Sequence, residues 1–268
     1  MMLSNVFVKS LWDQKRSLTW WCLGIGTLII ITMLFYPAMR EMPELNEILA
    51  ADENPIMKVF AGDITDFTSP EGFVNSQLLL FIVPLLYIGF AVGIGSGSIA
   101  GEEEKGTLDF LLAHPLTRET AIVQKFIAMN FAVAFIGVFA WASLVIGAAI
   151  VDMEIGYSRL AAATFSGVLL GITYGGIAFF FGAAFGKRNS SIGVAAALGI
   201  GGYLLNALGP MVGWLKPFTK ISPFYYYSSS DPLTNGLDWS HMAVFLVVIL
   251  LLGGMAILSF KRRDLAVG

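Results

Sequence analysis

Apolar residues gather into six long runs along the chain, at about 18–36, 73–98, 126–151, 160–185, 192–212 and 242–260. Each is close to the roughly 20 residues that an α-helix needs to cross a bilayer, and none carries a charge at its centre. The pattern predicts an all-α membrane protein with six transmembrane helices in a single transmembrane domain over residues 1–268. Pro37 closes the first run. Ahead of it, residues 3–17 place Leu3, Val6, Phe7 and Leu11 at helical spacing, with Lys9, Lys15 and Arg16 off that stripe. That stretch reads either as an amphipathic helix along the membrane surface or as a short polar tail. No small-residue cleavage site follows the first run, so it is expected to stay as a span.

The polar stretches between runs differ in kind. Residues 37–72 hold eight acidic side chains against Arg40 and Lys58, with four prolines; they are expected to form an outer loop with one short helix near Glu44–Ala51. Residues 213–240 form a second outer loop. It begins with the aromatic WLKPFTKISPFYYY, which suits headgroup depth or a partly re-entrant path better than open water. Residues 101–125 are different again. Glu102, Glu103, Glu104 and Lys105 cannot sit in hydrocarbon, so this piece lies in water between the second and third spans. Gly106 breaks it, Leu108, Leu111 and Leu112 share one helix face, and Pro115 stops it. Thr117 is then placed to cap the next helix, with Glu119 in its first turn. The segment is either a solvated turn or a docking surface for a second protein.

Glycine marks two of the spans. Gly89, Gly93 and Gly97 recur every fourth residue in the second, with Gly101 just beyond, and Gly167, Gly171 and Gly175 do so in the fourth. Such stripes let another helix backbone approach closely; the partner is a helix of the same chain or of a second copy.

Composition narrows the function. The 268 residues are 56% hydrophobic and 13% charged, with a mean hydropathy of +0.75, against roughly 25% charged in soluble domains. A net charge of −3 argues against a nucleic-acid partner. The single cysteine, Cys22, excludes an internal disulfide. His114 and His241 fall near opposite membrane faces, and no metal-ligand spacing or phosphate-binding glycine loop occurs. Metal, cofactor and catalytic residues are therefore not expected in this chain. With both termini cytoplasmic, eleven Lys and Arg face inward and five outward, which satisfies the positive-inside rule. The polar groups at depth, Asn130, Thr173, Tyr174 and Asn206, are neutral and mark a possible substrate path; ion-coupled transport would call for carboxylates there.

GEEEKGTLDFLLAHPLTRETAIVQKF resembles the signature cytoplasmic segment of the permeases of type-2 ABC exporters. The matching pieces are Glu102–Leu108, Leu111–Leu112, Pro115–Arg118 and Lys125, with Asp109 where the family more often has glutamate. SPFYYY at Ser222–Tyr227, PLTNG at Pro232–Gly236 and FKRRDL at Phe260–Leu265 are further, weaker likenesses. The resemblance implies a connecting helix over 3–17 and a coupling helix in Gly101–Ala113 that docks on a separate ATPase subunit. It implies two permease copies, as a homodimer, over two ATPases that hold the ATP and Mg, in a prokaryotic cell membrane. By that likeness Glu102, Glu103, Glu104, Lys105, Gly106, Thr107, Leu108, Leu111, Leu112, Pro115 and Arg118 form the coupling surface. Its leucines would anchor and its glutamates make charged contacts. The alternative is a membrane scaffold or assembly factor that docks an ATPase without transporting anything.

Overall fold

Inside a bilayer each backbone N–H and C=O must find its partner within the chain, so apolar runs of this length become helices. The computed structural model describes residues 5–42, 66–108, 117–229 and 231–263; among them all regular structure is helical. Asn5 caps α1 (Val6–Leu34) by accepting from the Val8 N–H, and α2 (Tyr36–Arg40) follows directly. The second span consists of α3 (Pro70–Val74), a π-helical turn (Asn75–Leu79) and α4 (Ile82–Ser98), and α5 (Ala100–Glu104) continues from it. Three further spans are α6 (Arg118–Ile150), α7 (Tyr157–Phe185) and α8 (Arg188–Leu208). A 3₁₀ turn (Lys216–Ile221) then leads to the short α9 (Pro223–Ser228) and α10 (Pro232–Asn235), before the last span, α11 (Trp239–Arg262). Six of these helical stretches are long and apolar enough to cross a membrane.

One boundary differs from the sequence reading. α1 runs unbroken from Val6, so the amphipathic stretch expected as a helix of its own is the first part of the first span. α6 begins at Arg118, one turn and more ahead of its apolar run, where the expected cap is found: the Thr117 hydroxyl accepts from the Thr120 N–H at 3.2 Å and holds the first turn. The expected helix near Glu44–Ala51 lies outside the described residues.

α7 is the centre of the bundle. It packs against α4, α6, α8 and α11, while α1 lies on the outside against α6. Of the most apolar window of α7, 72% is buried, against 11% for α8, which leaves α8 at the rim. Glycine explains the close α4–α7 contact. A Cβ added at Gly171 would stand 2.8 Å from the Tyr87 Cβ, one at Gly175 2.8 Å from the Ala91 Cβ, and one at Gly167 3.2 Å from the Tyr87 ring. On α4 the face in contact is Tyr87, Ala91 and Gly95, where a Cβ would meet the Gly175 carbonyl oxygen at 2.3 Å.

Among the described residues, the stripe Gly89, Gly93 and Gly97 does not meet another helix backbone. Trp21 lies 3.9 Å from the Gly89 position, nothing lies within 4 Å of Gly93, and the Arg188 Nε is 4.0 Å from Gly97. Residues two apart on a helix point about 200° apart, so the face carrying Ala91 and Gly95 turns this stripe away from α7. Of the two partners expected for it, a helix of the same chain is not found among the described residues.

At the opposite end from α5, the aromatic loop folds back on the spans. Ser222 donates to the Gly202 carbonyl at 2.8 Å and its hydroxyl accepts from the Phe224 N–H, which starts α9. Phe224 is buried between the rings of Tyr174 and Tyr203. Tyr227 reaches the break in the second span and donates to the Leu79 carbonyl at 2.5 Å. Burial pushes its phenol well above the ordinary range, so it stays protonated as that donor. Pro84, in the first turn of α4, has no N–H to give to the turn before it, which accounts for the interruption there.

Candidate functional site

The end of the bundle at α5 gathers the start of α6, the start of α8, the end of α11 and the start of α1. α5 itself stops at Gly106, whose φ of +66° suits glycine. The Gly106 N–H bonds the Glu103 carbonyl and the Thr107 N–H bonds the Glu102 carbonyl, each at 2.9 Å, as at many left-handed helix ends.

The three consecutive carboxylates reach three different elements. Glu102 pairs with Lys125 of α6 at 2.5 Å, and Lys125, itself buried, also donates to the Ser98 carbonyl at 2.9 Å. Glu103 pairs with Arg263, just past the end of α11, and Arg263 also donates to the Ala183 carbonyl of α7 at 3.1 Å. Glu104 accepts from the Arg188 backbone N–H at 2.8 Å, at the first residue of α8. That helix has no side-chain cap from its own Lys187, so Glu104 supplies one across space, where the helix dipole favours a negative charge. Lys261 of α11 pairs with Glu119 of α6 at 2.7 Å. The Phe7 N–H donates to Gln124 Oε1 at 3.1 Å, joining α1 to α6.

Within the segment, Glu102, Glu103 and Glu104, expected to make charged contacts with a partner, hold the chain's own helix ends together. Leu108, expected as an exposed anchor, is 4% exposed and belongs to the interior of this chain. Lys105, Gly106, Thr107 and Arg118 are exposed. Leu111, Leu112 and Pro115 lie outside the described residues.

Sequence reasoning missed Arg188 and Arg263 as partners. A signal was present for the two ion pairs, since Lys125 and Arg263 each sit at the end of a span; the Arg188 bond is through its backbone N–H and left none.

The polar groups at depth are not brought to one place. Thr173 and Tyr174 are buried, and Thr173 donates to its own helix at the Leu169 carbonyl. Asn206 donates to Ser228, and Asn130 lies on α6 with its Oδ1 buried and unpartnered. None of the four lines either of the two described cavities. Among the described residues no group of His, Cys, Asp and Glu could hold a metal ion.

Residues 5–265 match the profile of the ABC-2 family transporter proteins. The chain belongs to that family. The match takes in all six spans and the whole α5 end, so this ABC-2 chain is an integral, multi-pass membrane component of an ABC transporter. No curated protein matches it.

Proposed function

We propose that this ABC-2 chain is the permease of an ATP-driven exporter, working as a homodimer with two copies of a separate ATPase subunit that hold the ATP and Mg. The observation that carries this reading is the clasp of Glu102, Glu103 and Glu104 on Lys125, Arg263 and the Arg188 N–H. A turn that only linked two spans would not need ties to α6, α8 and α11. With those ties, displacement of residues 105–117 is delivered to four spans at once. The ATPase surface then falls on exposed Lys105, Gly106 and Thr107, on Arg118, and on the stretch with Leu111, Leu112 and Pro115. The glutamates transmit the motion inside the chain.

ATP binding can drive transport through such a segment only if the two ATPase states bind it with different affinity. The exposed apolar side chains of α8, among them Leu198, Ile200 and Leu204, fit a second copy beside this one. The excess of Lys and Arg at the α5 end supports placing both termini and α5 in the cytoplasm.

The test is Leu111→Ala with Leu112→Ala in the full complex. If each leucine contributes roughly 1.5–3 kcal/mol to the contact, co-purification of the ATPase should fall sharply with the six spans still inserted. Unchanged ATPase binding and transport would leave the segment as a simple turn. A scaffold would bind the ATPase yet show no substrate-stimulated ATP hydrolysis.

A further inference from the structure

A polar cavity and an apolar hollow lie on one seam between α1 and α4. The cavity, about 410 Å³, is at the α5 end, and Lys9, Asp13, Gly97, Lys105, Lys125 and Arg188 are among the residues lining it. The hollow, about 400 Å³, is lined by Trp20, Trp21, Gly24, Ile25, Leu28 and Leu86. Gln14 of the first and Trp21 and Leu28 of the second are seven residues apart in succession, so one face of α1 borders both. On α4 the floor between them is the glycine stripe. Trp21 flanks it at Gly89, Gly93 stands open and Arg188 overhangs Gly97.

The charges at the polar end are unbalanced. Lys125 is taken by Glu102, but the Lys9, Lys105 and Arg188 side chains form no ion pair with a described residue, and Asp13 is the other carboxylate facing the cavity. Arg188 Nε is buried without an acceptor and Gln14 Oε1 without a donor. Buried polar atoms in native proteins are rarely left so. A phosphate would supply the acceptor for a guanidinium, and a headgroup hydroxyl would supply the donor for Gln14.

The spacing selects a lipid over a free anion. From Asp13 to Ile25 on α1 is about 18 Å, and from Gly97 to Leu86 on α4 about 16 Å, at 1.5 Å per residue. One leaflet of hydrocarbon is half of roughly 30 Å. We propose that this seam binds one anionic phospholipid of the leaflet at the α5 end. Its phosphate sits among Lys9, Lys105 and Arg188, and an acyl chain lies over Gly97, Gly93 and Gly89 into the Trp20–Leu28 hollow.

The experiment uses the full chain, reconstituted in phosphatidylcholine vesicles containing phosphatidylglycerol and re-purified in mild detergent. Phosphatidylglycerol retained per chain is then counted by mass spectrometry. Wild type should retain it selectively over phosphatidylcholine. Lys105→Gln with Arg188→Gln should weaken retention about tenfold, while Lys216→Gln with Lys220→Gln, at the other end, should not. Gly93→Leu, with every charge intact and no described atom within 4 Å of its Cβ position, should also displace the lipid. Retention that ignores both the charge pair and Gly93→Leu would overturn the proposal. So would full displacement by inorganic phosphate, which would make this a free-anion site. If Gly93→Leu splits a dimer while lipid retention is unchanged, the seam's occupant is a second copy and the proposal fails.

Discussion

Glu104 caps a helix that it does not belong to: its carboxylate accepts from the Arg188 N–H at 2.8 Å, 84 residues further along the chain. The contact fixes where α8 begins relative to α5. Glu104→Ala should cost about 1 kcal/mol, as a lost N-cap does, and Glu104→Gln less, since the amide oxygen can still accept. Hydrogen exchange should show faster amides at 188–191 in the alanine variant only.

Lys125 is buried and Glu102 three-quarters so. Glu102→Gln leaves the lysine charge without its counter-ion, which for a buried pair costs about 3 kcal/mol. Lys125→Met should cost less, because Glu102 can turn to water. The double variant should recover much of the loss seen in Glu102→Gln. Thermal unfolding in detergent across this cycle measures the coupling; additive losses would mean that the pair does not act as one.

Leu108 and the pair Leu111–Leu112 should separate cleanly. Leu108→Ala opens space in the chain's own interior and should lower stability by roughly 2–5 kcal/mol. The two later leucines, if they meet an ATPase, should affect co-purification and leave the melting temperature alone.

Gly175→Leu should prevent folding, since even a Cβ there meets Ala91 at 2.8 Å. Gly93→Leu should leave the melting temperature of the isolated chain unchanged. Circular dichroism melts distinguish the two. A large loss for Gly93→Leu in a monomer would contradict the open position found there.

Asp238 starts α11. Its carboxylate accepts from the Ser240 hydroxyl at 2.6 Å and from the Ser240 and His241 N–H groups. The Ser240 bonds hold its pKa below the usual carboxylate value. With the folded pKa depressed, the contribution to stability is complete above the unfolded value, near 4, and fades as pH falls below it. Asp238→Asn should flatten that acid limb of the stability profile, as read from unfolding between about pH 3 and 5.

The six spans could be read from the sequence because apolar length alone decides them. Thr117 as a cap was equally plain, since the cap and its helix are adjacent in sequence. What could not be read was pairing across distance. Glu102 to Glu104 had to be outside hydrocarbon, but nothing local tells that their partners are residues 125, 188 and 263. Glycine spacing shows a smooth face without showing which face is covered. The obvious stripe on α4 stays open, and the tight contact falls to a lone glycine, Gly95. Leu108 fits an exposed apolar face by spacing, yet the chain folds over it.

α1 runs 29 residues without a break, a rod about 43 Å long. The second span has the joint at Leu80–Phe81 that α1 lacks. A rod held near one end by Gln124 cannot tilt at that end alone. A tilt imposed beside Phe7 is therefore carried along α1 toward Leu34, with no hinge on the way to absorb it.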